Sequence, residues 1–387
     1  MRNLLILGAL VSNFAFAKAE LTLEQKLYNY IESTQIREHS DARYFGLWPN
    51  TIRVEGDERA LDETDIFTGM HIMLMLDEVD KHMPLLGFDP MRQMFNEQFK
   101  QYRKDSVGKG GTLNFWPLRA GGFHNFSPDG AVAKITGIPD LFNDFDDSAL
   151  GLLWEMADGK TASSDLLNTL ADYSDSKTGA FFTWYSRSLL NTDCVVNLNI
   201  LHALARYESR GGILPAQTAA ARDSALNYIR NIMENNETGT CARFYNRSSQ
   251  FYIALARVYD ANSDYVDNWV LSQAGYGSLS VTEKFMLSVH EVLDSKNATE
   301  IAEYLVALKL FGKSAKKYNL EPYFDTLNDK LTKNLRDLIQ ETPDTAFLPG
   351  DSVFLGISSK GEWTGKELHW YSPAQSTATA LLALTLP

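Results

Sequence analysis

The sequence predicts an all-α fold and, within that class, an α/α toroid of roughly a dozen helices. Apolar residues recur at helical spacing along the chain, and no convincing pair of strands is visible. Strongly apolar segments, such as 66–79 and 195–207, alternate with segments that have one apolar face, such as 91–103 and 219–234. Since a helix that is apolar on all sides must be buried, the alternation indicates an inner ring of helices inside an outer ring.

A solenoid of helix pairs would show the same alternation, but with a more constant repeat length. In this sequence the spacing between helix starts varies, and the connecting loops are long and aromatic, as in 108–139 and 354–371. These features favour a closed toroid.

The composition is typical of a globular protein. The chain has 387 residues, of which 44% are hydrophobic and 22% are charged, and its formal net charge is −13. That charge argues against nucleic acid and anionic membrane surfaces as partners, since both attract basic patches. After the N-terminus no run of about 18 uncharged apolar residues occurs, so no transmembrane anchor is expected.

The first 17 residues have the pattern of a signal peptide. Arg2 is followed by the apolar run 4–11, and Ala15-Phe16-Ala17 forms an A-x-A cleavage site. The sequence therefore predicts an exported protein, periplasmic or secreted, with a single toroid domain over 18–387.

Cys194 and Cys241 are the two cysteines of the chain. In an oxidising compartment they would form one disulfide, whereas a core of this size is also compatible with two buried free thiols. The sequence leaves these alternatives open.

Several apolar segments begin with a polar residue that can cap a helix. Examples are Asp193 before 194–201, Asp65 before 66–69, and the start of 376–381. In a toroid the inner helices begin around one mouth, where caps and aromatic loops meet. That mouth is the expected ligand site. The candidate ligand-binding residues there are Phe115, Trp116, Phe145, Trp184, Tyr185 and Asp193.

The segment 144–147 is unusually acidic. Asp144, Asp146 and Asp147 lie within four residues, immediately before an apolar helix. Neighbouring buried carboxylates are costly unless they cap the helix, hold a cation or share a proton. Their spacing does not match the twelve-residue calcium loop, so we expect neither a metal nor a cofactor. A helix cap is the default expectation for Asp146.

Residues 144–149, Asp-Phe-Asp-Asp-Ser-Ala, have the form of the D-x-D-D-T-A motif of class II terpene cyclases. With the segments 193–201 and 376–381, they resemble the terpenoid cyclase and protein prenyltransferase α/α-toroid superfamily, in particular its squalene–hopene cyclase-like branch. The chain lacks the repeated Gln…Gly-x-Trp motifs of hopene cyclases.

The resemblance implies a specific chemistry. Asp146, the middle acid, would be the proton donor to an alkene, and Asp144 and Asp147 would orient and polarise it. Aromatic faces would stabilise the resulting cation. Six aromatic residues are candidates for this role: Phe115, Trp116, Phe145, Phe181, Trp184 and Tyr185.

Three functions follow from these observations. The first is an exported toroid that binds a small molecule, lipid or glycan at its mouth; the second is a proton-initiated isomerase that uses Asp146. The third is a glycoside hydrolase, pairing Asp146 or Asp147 with Asp193 or Asp65, or a polysaccharide lyase. A lyase would use Tyr185 or His124. The direction of the Asp146 carboxyl group separates a catalytic role from a cap.

Overall fold

The computed structural model describes residues 21–39, 41–54, 60–106, 109–117, 142–161, 163–245, 247–266, 281–313, 320–340 and 368–387. The predicted signal peptide lies outside these ranges, as do His124 and most of the loops predicted over 108–139 and 354–371.

Six helices of the described chain form an inner ring. They are α2 (Ile66–His82), α4 (Phe145–Ala157), α6 (Cys194–Ser209), α8 (Ser248–Ala261), α10 (Ala298–Gly312) and α12 (Pro373–Thr385). Each packs against the next in this order, and α12 packs back onto α2, so that the ring closes. Most of their residues are buried, as predicted for helices that are apolar on nearly all sides.

The other six described helices alternate with these along the chain. They are α1 (Leu23–Thr34), α3 (Phe88–Asp105), α5 (Ser164–Asp172), α7 (Ala216–Glu234), α9 (Val281–Glu291) and α11 (Glu321–Gln340). α11 shows the outer pattern clearly, since Leu327, Leu331, Leu335 and Ile339 form one buried stripe on an otherwise polar helix. The predicted all-α toroid is confirmed.

A small sheet interrupts the helical pattern, so the expectation of no strand pair is wrong. The central strand β1 (Asn50–Val54) pairs antiparallel with β2 (Ala60–Glu63) on one side and with β3 (Leu368–Tyr371) on the other. The last four residues of the loop predicted over 354–371 are therefore a strand. Strands of four or five residues are too short to show a clear two-residue alternation.

The inner helices run parallel, with their starts at one end of the ring. Residues near the starts of α6, α8, α10 and α12 line one cavity, and residues near the ends of all six line another. No helix in the described part of the chain is long and apolar enough to cross a membrane.

Candidate functional site

The start of α4 carries the three clustered acids, and each has a different environment. Asp144 is the N-cap of the helix, and its Oδ1 accepts a hydrogen bond from the backbone amide of Asp147 at 2.7 Å. The three carboxyl groups are almost fully buried, with at most 4% of each residue exposed. The cap role predicted for this cluster therefore belongs to Asp144.

Asp146 does not cap its helix, and the default expectation for this residue is wrong. Its Oδ1 accepts a hydrogen bond from Nδ2 of Asn199 on α6 at 2.8 Å. Its Oδ2 accepts a hydrogen bond from the hydroxyl of Tyr245, just before α8. The side chain is thus held by groups from elsewhere in the ring, because Asp144 already fills the cap position.

Burial raises the pKa of Asp146 from its ordinary value to about 7. The hydrogen bonds from Tyr245 and Asn199 act in the opposite direction, and the nearby charge of Asp193 adds to the rise. A large fraction of Asp146 therefore keeps its proton near neutral pH, in an environment that also stabilises the carboxylate left after proton loss.

Neither carboxyl oxygen of Asp147 accepts a hydrogen bond from a donor in the described chain. Burial raises the pKa of Asp147 well above its ordinary value, and the charge of Asp144 raises it further. Burial and then the charge of Asp146 likewise raise the pKa of Asp144. Since adjacent buried carboxyls cannot all ionise, we assign Asp147 as a neutral acid.

The segment 241–245, which carries Tyr245, is fixed to the start of α6 in two ways. Cys194 and Cys241 form a disulfide with their Cα atoms 5.6 Å apart, which settles the alternatives left open by the sequence. Oδ2 of Asp193 accepts hydrogen bonds from the backbone amides of Arg243 at 2.5 Å and Phe244 at 2.9 Å. Together these links position the Tyr245 hydroxyl against Asp146.

Asp193 itself has no free hydrogen-bonding capacity for a ligand. Its Oδ1 accepts hydrogen bonds from the amides of Val195 at 2.8 Å and Val196 at 3.1 Å, in addition to the two on Oδ2. Asp65, the other acid considered for a glycosidase pair, caps α2 through the amide of Thr68 at 2.7 Å. Both acids are completely buried, and neither faces an open groove.

On the side of Asn199 and Tyr245, the partners of Asp146, lies a small cavity of about 40 Å³ that we call the upper cavity; Asp146 itself is not among its lining residues. Asn199 and Tyr245 line it, together with mostly polar side chains that include His71, Arg257 and Glu303. Glu303 is paired with Arg247, whose Nη2 donates at 2.8 Å. This polar lining differs from the aromatic mouth that the sequence predicts.

A second cavity, which we call the lower cavity, lies toward the ends of the inner helices and has a volume of about 130 Å³. His71, Met75 and Arg257 line both cavities. The interior of the toroid therefore contains two adjacent spaces, with Arg257 between them.

The predicted aromatic residues contact one another rather than these cavities. Phe115 stacks on Phe67 with ring centroids 4.9 Å apart and contacts Trp116 at 5.0 Å. The remaining pairs are Phe145 with Tyr185 at 6.3 Å and Trp184 with Phe244 at 5.6 Å. None of the six candidate aromatics, Phe181 included, lines the upper or lower cavity.

Sequence reasoning missed Tyr245, Arg257 and His71, and did not single out Asn199. Asn199 could have been identified from the sequence, because a side-chain amide within the apolar helix 195–207 needs a buried hydrogen-bond partner. Tyr245 lies in a loop, where periodicity is uninformative. In the described residues no group of three or more His, Cys, Asp or Glu side chains could hold a metal ion.

Neither models of known protein families nor curated protein sequences match the chain. Solved structures do match, over nearly its whole length. One is a variant of the type II terpene cyclase MstE from Scytonema, in complex with its substrate geranylgeranyl dihydroxybenzoate. It has a TM-score of 0.56 and 11% identity, with 94% of this chain and 96% of that chain covered.

A second match is a protein from Actinoplanes, with a TM-score of 0.55 and 11% identity, covering 93% of this chain and 98% of that one. The chain has a terpenoid-cyclase-like α/α-toroid fold. At this identity the similarity shows the fold alone, so the chemistry must be argued from the residues.

Proposed function

We propose that this protein is a proton-transfer catalyst of the class II terpene cyclase type, with Asp146 as the proton donor to an alkene. The observation that carries the proposal is the position of Asp146: a buried acid held by Asn199 and Tyr245 rather than by its own helix. A carboxyl group that served only as a cap would not need partners from two other parts of the ring.

The chemistry follows from the balance of effects on this one group. Burial keeps the proton on Asp146 until a substrate arrives. In the transfer step the O–H bond breaks, a C–H bond forms at one alkene carbon, and the neighbouring carbon becomes a cation. Asn199 and Tyr245 then stabilise the aspartate, which makes Asp146 a stronger acid than burial alone would allow. Loss of a proton from the product and reprotonation of Asp146 complete the cycle.

An isoprenoid substrate is the class that this chemistry requires, because trisubstituted alkenes give tertiary cations. The solved cyclase with this fold holds geranylgeranyl dihydroxybenzoate, a substrate with such a chain. This similarity supports the substrate class and leaves the individual compound to experiment.

The test uses a panel of geranylgeranyl-bearing compounds with detection of products by mass spectrometry. We expect the wild-type protein to give an isomer of unchanged mass in water and of one mass unit more in D2O, since the new C–H bond takes its hydrogen from Asp146. Asp146→Asn should lower the rate by at least about 100-fold. Asp165→Asn, which changes an exposed acid, is the matched control. An Asp146→Asn variant with wild-type activity would contradict the proposal.

A second candidate, a toroid that binds a ligand without transforming it, is favoured by one observation. The upper cavity is small, and a long isoprenoid chain does not fit in 40 Å³. In that case no compound of the panel is converted, and Asp146→Asn changes only affinity or stability.

We also propose that the protein is exported. The signal-peptide pattern of residues 1–17 supports this, and the disulfide is consistent with an oxidising compartment. N-terminal sequencing of protein from the periplasm and the medium should find a chain that begins near Lys18; an uncleaved cytosolic chain would contradict export.

A further inference from the structure

Arg257 on α8 is a half-buried cation without a carboxylate partner in the described chain. It lines both the upper and the lower cavity, and within the described chain it makes no ion pair or hydrogen bond with a side chain. The acid whose charge acts on Arg257, Glu303, is already engaged by Arg247 and by the hydroxyl of Ser249 at 2.5 Å. An unpaired charge inside a protein is costly, and an anion would offset that cost.

The carboxylates at the rim of the lower cavity behave differently, because each has a cationic partner. Asp260 pairs with Arg206 at 2.9 Å and also with Lys313. Glu78 pairs with Lys81 at 2.7 Å. The rim carboxylates are thus paired, and the rim cation Arg210 donates to the backbone carbonyl of Met156, whereas the guanidinium of Arg257 has no such partner.

Two histidines lie beside Arg257. His71 is 7% exposed, lines both cavities, and its Nε2 has no hydrogen-bond partner in the described chain. His202 lines the lower cavity. Burial and the positive charge of Arg257 lower the pKa of His71 well below its ordinary value, so it stays neutral. A neutral imidazole can donate one N–H to a ligand oxygen without adding a second buried charge.

The wall of the lower cavity is largely apolar. It includes Leu150 and Leu153 of α4, Val306 and Leu310 of α10, and Leu382 of α12. A site with an arginine that lacks a carboxylate partner, an unpartnered imidazole and an apolar wall fits an amphiphilic anion better than an inorganic ion.

We propose that the toroid interior binds the carboxylate of an otherwise apolar small molecule. The carboxylate oxygens accept hydrogen bonds from Arg257 and His71, and the apolar body lies along the leucines of the lower cavity. The guanidinium matches a carboxylate because its planar donors can bond both oxygens. This site is a binding site in its own right and does not depend on proton transfer by Asp146.

The experiment measures binding of hexanoate by titration calorimetry, with hexanamide as the neutral analogue and inorganic phosphate as an anion without an apolar body. We expect hexanoate to bind at least about tenfold more tightly than either, a difference of about 1.4 kcal/mol. Equal affinity for hexanoate and hexanamide would contradict the proposal that the charge of the carboxylate is recognised. Equal affinity for hexanoate and phosphate would contradict the proposal that the apolar wall of the lower cavity binds the body of the ligand.

Variants locate the site. Arg257→Gln should weaken hexanoate binding at least about tenfold, while Arg230→Gln, on the exposed face of α7, should leave it unchanged. Because Arg257→Gln removes a charge that has no carboxylate partner and is partly removed from water, the ligand-free variant should fold and melt no lower than wild type. If it does not fold, Arg257→Lys provides the second measurement, with weaker binding expected because lysine lacks the planar fork.

Binding should also survive in Asp146→Asn, so failure of the proposed catalysis and failure of this site are distinguishable. Unchanged hexanoate affinity in both Arg257 variants would overturn the proposal.

Discussion

The starts of α4 and α6 look alike in sequence and behave differently in the structure. Each begins with an aspartate before an apolar inner helix. At α6, Asp193 accepts four hydrogen bonds from backbone amides, and no other acid follows it in the first turn. At α4, Asp144 accepts one such bond, and two more acids, Asp146 and Asp147, lie in the first turn.

The difference distinguishes Asp193, an acid that the fold needs as a helix cap, from Asp146 and Asp147, which we call the surplus acids because no cap requires them. One carboxylate is enough to cap a helix, so Asp193 is explained by folding alone. Asp146 and Asp147 are not needed for the cap, and their burial beside Asp144 opposes folding at neutral pH. Proteins retain such unfavourable groups at functional sites, which makes the start of α4 the better site for chemistry.

The largest effect should come from removing the structural acid. Asp193→Ala leaves buried amides without an acceptor and should lower the free energy of unfolding by roughly 3–5 kcal/mol. Asp144→Ala loses a single cap bond and relieves repulsion, so it should cost at most about 1 kcal/mol at pH 8. Urea denaturation of both variants tests the contrast, and equal losses would contradict it.

Removing the disulfide should have the next largest effect. The double variant Cys194→Ser and Cys241→Ser should lower the free energy of unfolding by about 2–4 kcal/mol. The disulfide also holds the segment that carries Tyr245 at Asp146, so the pKa of Asp146 should change in this variant. An unchanged pKa would show that the hydrogen bonds of Asp193 suffice to fix the segment.

The surplus acids predict an unusual pH dependence. In the folded protein the pKa of Asp146 is raised, so between about pH 4 and pH 7 the folded chain holds more protons than the unfolded chain. Protonation of Asp146 therefore favours the folded state at low pH, and this contribution to the free energy of unfolding is lost as the pH rises toward 7.

Asp147→Asn tests the same effect at the neighbouring acid, whose pKa burial also raises. It should stabilise the protein by roughly 1–3 kcal/mol at pH 8, with a gain that shrinks toward pH 4. Unfolding free energies at several pH values provide the measurement. A destabilised variant at pH 8 would show that Asp147 has a favourable partner.

The smallest effect should come from Tyr245→Phe. Losing one buried hydrogen bond should cost about 1 kcal/mol. The pKa of Asp146 should rise further, because the Tyr245 hydroxyl lowers it. Tyr323→Phe on an exposed face is the control. If Tyr245→Phe leaves the pKa of Asp146 in place, the contact between these groups is not made in solution.

The sequence was sufficient to predict the ring, because each inner helix carries its own apolar pattern and its own capping residue. It was not sufficient for the three short strands, whose pairing joins residues 50–54 to 368–371. Nor could it show that Asp146 meets Asn199 and Tyr245, since that contact depends on how α4, α6 and the segment before α8 are placed together. The unpaired state of Arg257 is equally hidden, because a partner could have come from any of the other inner helices.

The central claim is that Asp146 is a protonated acid held within the ring rather than a cap, and its pKa tests this most directly. Infrared difference spectra of wild type against Asp146→Asn, recorded across a pH series, report the protonated carboxyl of this residue alone. We predict a midpoint of about 7. A midpoint near the ordinary aspartate value of about 3.9 would contradict the account.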